Sequence, residues 1–225
     1  MKILLTGGTG QLGTELLKLH RYTAPTHEQM DVCDLDEVQQ TLDAEQPELI
    51  LHAAAFTNTF GADRSPSAAA HCWQVNVLGT RNLVNAAKCP IILISSEAVI
   101  DPYTFYILTK LQAEYEVRQH EPGYSIFRTS FREDPYEYPQ AFTDMWTIGD
   151  SVHVIAKLIN EAAHGPLVPG IRWIGTGPKT MYELAKRTVP DVTPVPRSAF
   201  GSRLPSLEGL RHVEQGAVTQ HGDVG

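Results

Sequence analysis

"KILLTGGTGQLGTELLKLH" (residues 2–20) decides how this chain is read. "KILLT" (2–6) is a short apolar run that suits a strand buried on both faces. Glycines follow at once, Gly7, Gly10 and Gly13 within "TGGTGQLG" (6–13). "GQLGTELLKLH" (10–20) then places Leu12, Leu16, Leu17 and Leu19 largely on one side of a helix. A strand, a glycine turn and a helix in that order form the opening unit of a dinucleotide-binding fold. The turn must be tight and its backbone must approach a pyrophosphate, which only small residues permit. The helix start then offers free N–H groups and positive dipole character. The expected cofactor contacts here are Gly7, Gly10, Gln11, Leu12 and Gly13.

The pattern continues outward. "RYTA" (21–24) reads as a second strand. "DLDEVQQTLDAEQ" (34–46) reads as a helix capped by Asp34, with Glu37 completing a capping-box spacing. "ELILHAAAF" (48–56) is a strand leading into a loop, and "SAAAHCWQVNVLGTRNLVNAAK" (67–88) a long helix. "PIILISS" (90–96), "YTFYILTKLQAEYEVRQH" (103–120) and "YSIFRTS" (124–130) follow as strand, helix and strand. Such alternation calls for an α/β fold, a Rossmann-type doubly wound parallel sheet with helices on both faces. Beyond residue 130 the order weakens. A polar, proline-containing loop (131–142), a helix (150–164), a strand (171–176) and a helix (180–188) are expected there. The chain thus divides into a dinucleotide-binding domain (1–130), a small C-terminal substrate lobe interleaved with it (131–210) and a flexible tail (211–225).

With 225 residues, 42% of them hydrophobic and 20% charged, the chain is long enough to bury a sizeable core. Its formal charge of -8 argues against a nucleic-acid surface. Apolar runs are strand-sized, so no membrane span is expected, and the apolar start is too short for a secretion signal. Cys33, Cys72 and Cys89 are odd in number and widely spaced, which suits reduced thiols in the cytoplasm. The histidines lack metal-ligand spacing, and no metal is expected.

"DPYTFYILTK" (101–110) holds the chemistry-bearing pair. On a helix Tyr106 and Lys110 lie one turn apart on one face, while Tyr103 has only Ile107 at that offset. A phenol needs a nearby cation to act at neutral pH. Cofactor choice is read at the tip of the second strand. No carboxylate stands there to take a ribose hydroxyl. Thr26 and His27, with Arg21 as helper, would tolerate a 2′-phosphate, so NADP(H) is favoured and NAD(H) stays open. Asp31, followed by Val32, either caps a turn or receives the adenine amino group.

Together these pieces resemble the extended short-chain dehydrogenase/reductase superfamily, and within it the dTDP-4-dehydrorhamnose reductase family. The resemblance rests on "TGGTGQLG", "MDVCD" (30–34), "LHAAAFTN" (51–58), "VNVLGTRNLVNAA" (75–87), "LISSEAVI" (93–100), "YILTKLQAE" (106–114), "FRTSF" (127–131) and "GTGPKTMYELA" (175–185), in the family's order. It implies that Tyr106 is the general acid, that Lys110 lowers its pKa and holds the cofactor ribose, and that Ser96 fixes the substrate carbonyl. Ser95 should point to the opposite face. It also implies that His52 and the small residues Ala53, Ala54 and Ala55 lie along the cofactor, with Asp31 and Val32 at its adenosine end. Asn76 is expected to tie its helix to the neighbouring strand. Thr57, Glu97, Arg132 and Trp146 are the candidate substrate contacts. The implied reaction is NAD(P)H-dependent reduction of a nucleotide-linked 4-keto-6-deoxy sugar, and a homodimer is one expected assembly.

The sequence departs from the family in one respect. Only "EAVIDPYTF" (97–105) separates Ser96 from Tyr106, where the family has a longer loop covering the sugar. Either the substrate is smaller, another subunit supplies a wall, or catalysis has weakened. Epimerisation or dehydration of a nucleotide-sugar, and a non-catalytic NADP-binding regulatory subunit, are therefore the alternatives. "RLPSLEGLR" (203–211) resembles the family's C-terminal substrate segment.

Overall fold

The structure, a computed structural model, describes residues 1–200, 204–214 and 218–219. Five parallel strands form its centre in the order β1 (Ile3–Thr6), β2 (Leu49–His52), β3 (Ile91–Ser96), β4 (Tyr124–Thr129) and β9 (Gly170–Trp173). Side chains alternate between two apolar layers. Ile3, Leu5, Leu51, Ile92 and Phe127 face one layer, and Leu4, Ile50, Leu93 and Ile126 the other. Helices α1 (Gln11–Leu19) and α7 (Val152–His164) cover the first layer through Leu12, Leu16, Ile155 and Ile159. The second is covered by α2 (Leu35–Glu45), α5 (Gly79–Ala86) and α6 (Phe105–Arg118), through Val38, Leu42, Leu83, Ala113 and Val117. This is the doubly wound α/β sheet that the alternating pattern implies.

Three local expectations change. The strand expected at 21–24 shrinks to a single bridge. Leu5 N donates to Thr23 O at 2.8 Å and Thr23 N to Ile3 O at 3.0 Å, and no further pairing follows. Asp34 does cap α2, accepting from Asp36 N and Glu37 N. The Glu37 carboxylate, however, reaches past it to Asp31 N at 2.8 Å. The helix expected over 67–88 begins at Pro66 as α4 (Pro66–Trp73), and a π-helical turn (Gln74–Leu78) joins it to α5. The short α3 (Thr59–Ala62) precedes it and has no counterpart in the sequence reading.

The lobe is built from short strands: β5 (Phe131–Arg132) on β8 (Asp150–Ser151), β6 (Gln140–Phe142) on β11 (Thr193–Val195), and β7 (Trp146–Thr147) on β10 (Lys179–Thr180). Helix α8 (Met181–Ala185) follows β10 and carries a true capping box between Thr180 and Glu183. The chain runs twice through the lobe, and between the passes α7 and β9 rejoin the sheet. Of the tail expected over 211–225, residues 211–212 close a 3-10 turn. Val213 packs against the Leu207 and Leu210 cluster, β12 (Val218–Thr219) pairs antiparallel with β9, and residues 215–217 and 220–225 lie outside the described residues. No helix among the described residues is long and apolar enough to cross a membrane.

Candidate active site

The carboxyl edge of β1 carries the glycine loop. Gly7 has φ +73°, and a Cβ there would stand 2.6 Å from Ala54 N. A Cβ on Gly13 would stand 2.2 Å from Gly7 O. Both glycines are thus demanded by the protein's own backbone, the first against the Ala53–Ala54 loop and the second where α1 crosses the turn. Gly10 is different. It is exposed, and the nearest atom to a Cβ would be Gly7 O at 3.3 Å. No side chain caps α1, whereas Asp34, Ser65 and Thr104 cap α2, α4 and α6. The first N–H groups of α1 therefore face outward beside a residue without a side chain. That is the shape and polarity a pyrophosphate needs. Gln11, at the mouth, donates to the Glu133 carboxylate of the lobe.

Beneath the loop runs a row of polar groups whose direction is fixed. Thr80 Oγ1 donates to Asn76 O at 2.7 Å, so it must accept from His52 Nε2 at 2.9 Å. His52 Nδ1 then accepts from Thr6 Oγ1 at 2.7 Å, and Thr6 Oγ1 accepts from Ala54 N at 3.1 Å. The His52 ring is 1% exposed, and burial, aided by the Lys110 charge, pushes its pKa down to about 3. It is a neutral strut under the alanine loop, which corrects the expectation that His52 borders the cofactor. Asn76 meets the expectation that it is structural. Its side chain accepts from Phe56 N and donates to Phe56 O and Thr109 Oγ1. The π-helical turn gives it this inward position.

On the other side of the cleft, Ser96 ends β3 and Tyr106 opens α6. The Ser96 hydroxyl accepts from Ala98 N at 3.2 Å, so its own hydrogen is unspent. Ser95 points elsewhere, as alternation predicts, and donates to Glu114 at 2.7 Å. Thr104 caps α6, and the Phe105 N–H is held by Asp63 just after α3. Tyr106 is half-buried and joins the apolar cluster of Val99, Ile107, Trp146 and Trp173. Burial, with Cys72 nearby, pushes the phenol pKa above its usual value. This reverses the expected lowering by Lys110, because the ring's surroundings outweigh one neighbouring charge.

Lys110 is 3% exposed and forms no hydrogen bond or ion pair among the described residues. Burial pushes its pKa down to about 8, against the opposing pull of Glu114. Glu114 lies one turn on, but its oxygens are already taken by Ser95, Arg118 and a bidentate Arg128. The Lys110 side chain is buried, but its Nζ is not among the fully buried unpartnered atoms of the described residues, so the ammonium ends where a polar group can reach it from outside.

The remaining candidates separate. Asp31 caps a turn, accepting from Cys33 N, and Val32 is core, packed against Gly79. Ala53, Ala54 and Ala55 are half-buried beside the glycine loop. Thr57 is exposed. Arg132 is exposed too, and its charge opposes the rise that burial imposes on the Tyr103 and Tyr136 phenols. Trp146 shares the Tyr106 cluster, with the Arg211 guanidinium 4.8 Å over its ring. Glu97, expected at the substrate, is 3% exposed and turned inward. It accepts from Ser130, Thr147 and the Ile148 N–H. Among the described residues no group of His, Cys, Asp or Glu could hold a metal ion.

Residues 1–160 match the model of the RmlD substrate binding domain. The chain belongs to that family. A dTDP-4-dehydrorhamnose reductase of Aggregatibacter actinomycetemcomitans is 32% identical over 111 residues. That match spans 45% of this chain and 37% of the relative, little more than a third of its length. In fold, the chain is similar to the dTDP-4-dehydrorhamnose reductase of Bacillus anthracis, solved with NADP. The two share 22% identity and a TM-score of 0.78 over 97% of this chain and 96% of the other. It is also similar to the Bordetella bronchiseptica enzyme WbmG, solved with NAD (17% identity, TM-score 0.67, 87% of this chain and 80% of that one). The RmlD-type chain described here thus shares its fold with proteins that hold either nicotinamide dinucleotide.

Proposed function

We propose that this chain is an NAD(P)H-dependent reductase of a nucleotide-linked 4-keto-6-deoxy sugar. One observation carries the reading: the unpartnered, buried Lys110 one turn from a phenol kept protonated, across from an uncapped helix start at a glycine loop. A nicotinamide dinucleotide, when bound, supplies the hydride. Gly7, Gly10 and Gly13 and the first N–H groups of α1 hold its pyrophosphate, beside Ala53 and Ala54. Tyr106, protonated at neutral pH, gives its proton to the ketone oxygen. The Ser96 hydroxyl, its lone pair already engaged by Ala98 N–H, donates to the same oxygen and fixes it. Lys110 hydrogen-bonds the ribose and stabilises the phenolate that remains. Thr26, His27 and Arg21 near the tip of the Thr23 bridge favour NADP(H). The three free thiols fit a reducing, cytoplasmic location.

The short 97–105 connection favours one second reading, a dinucleotide-binding subunit that lacks a sugar cover of its own. The test follows NADPH and then NADH oxidation against a panel of nucleotide-linked 4-keto sugars. Turnover with wild type, and a kcat about 10²-fold lower or less in Tyr106→Phe, is the expected result. Dinucleotide binding without turnover of any panel member would overturn the reductase reading in favour of the second.

A further inference from the structure

At the amino edge of the sheet, opposite the glycine loop, lies a cavity of about 90 Å³ between the sheet and the end of α7. Its walls are mainly apolar, from Leu49, Ile92, Phe127 and Leu167. Two polar side chains break them. Ser125 is 1% exposed, and its Oγ has no hydrogen-bond partner. Arg172 has a buried Nε without a partner, and its guanidinium forms no ion pair among the described residues. The guanidinium lies instead 5.2 Å from the centre of the buried Phe127 ring. Phe127 and Arg172 are cross-strand partners, and Ser125 lies two residues before Phe127 on the same face. The third buried unpartnered side-chain atom among the described residues, Arg197 Nε, has Asp144 at 3.4 Å. The two atoms with no such neighbour therefore converge on one cavity. Glu48, at the rim, is turned onto the Lys2 N–H.

Buried polar groups are almost always paired, and leaving a charged one unpaired is expensive. At the rim the Met1 ammonium lies 3.7 Å from the Glu48 carboxylate and offsets it, which leaves the Arg172 guanidinium and the Ser125 hydroxyl against apolar walls, a lining for a small monoanion with a short hydrocarbon tail. The cavity is smaller than the roughly 150 Å³ that takes a benzene ring, which suits a short carboxylate. We infer that this cavity is a binding site for a short-chain monocarboxylate, its carboxylate on Arg172 and Ser125 and its tail against Ile92, Phe127 and Leu167. The site is separate from the dinucleotide cleft and does not rest on the proposed reaction.

The test is a titration of the full chain, labelled at Ile and Leu methyl groups, with sodium propionate against sodium chloride at equal ionic strength. Saturable shifts at Ile92 and Leu167 are expected with propionate only. Arg172→Met should weaken binding tenfold or more, and Ser125→Ala about threefold. If Arg172→Met fails to fold, Leu167→Trp, which fills the cavity and leaves the charge, should abolish the Ile92 shift. Equal shifts with chloride, undiminished binding in Arg172→Met, or displacement by phosphate at matching concentration would each overturn the inference.

Discussion

The sheet domain and the lobe are held together in different ways. In the sheet, Phe127, Leu51, Ile92 and their neighbours are buried among other apolar side chains on both faces. In the lobe, strands of two or three residues are pinned by polar side chains. Glu97 clamps Ser130, Thr147 and Ile148. Lys179 Nζ donates to the carbonyls of Ile148, Gly149 and Gly177. Asp150 accepts from Arg187 at 2.9 Å. Hydrophobic burial is non-directional and tolerates small shifts, whereas a polar clamp works in one geometry. The contrast sets a rigid sheet beside a lobe whose geometry depends on a few polar contacts.

The largest effect should come from the sheet. Phe127→Ala is expected to cost about 4 kcal/mol, with every probe in urea unfolding shifting together. If lobe probes moved alone, the sheet would not be the cooperative unit. Next comes Lys110→Met. Folding lowers the Lys110 pKa from 10.5 to about 8, so the unfolded chain binds more protons between those values. Wild-type stability therefore rises with pH across that window. The variant should gain on the order of 3 kcal/mol below pH 8 and lose that advantage towards pH 10.5, as thermal melts across pH would reveal. A gain that persisted at high pH would mean the lysine's packing, not its charge, is the cost. The smallest is Glu97→Gln, at about 2 kcal/mol, because an amide cannot accept from all three donors. Faster hydrogen exchange at Ile148, with β1–β4 unchanged, is the expected signature. Equal loosening of the sheet would erase the distinction between the two regions.

The same contrast explains what could be read from the sequence. The strands were legible because both-face burial leaves continuous apolar runs such as "IILI", and the glycine loop because backbone contact admits no side chain at Gly7 and Gly13. The placing of Tyr106 and Lys110 one turn apart on a single helix was legible through their spacing. Lys110's lack of a counter-charge was not, because it depends on Arg118 and Arg128 occupying Glu114. Glu97 misled for a related reason. Its partner Ile148 is 51 residues away, and nothing local separates a carboxylate that clamps from one that contacts substrate. The π-helical turn at Gln74–Leu78 leaves no mark on a helical periodicity, although the structural role of Asn76, within it, is legible from the family resemblance.

The one-way row beneath the glycine loop also sets an order of failure in acid. His52 has nowhere to put a second proton. Protonated, its Nδ1 would meet the Thr6 hydroxyl as donor against donor, and Thr6 could not turn away without leaving its own hydrogen stranded beside Ala54 N–H. Stability from the neutral ring is complete above pH 6.5 and drains away as pH falls towards 3. The first segment to let go should be the floor of the cleft rather than the helices around it. A sour solution would then open the cleft well before the protein lost its secondary structure.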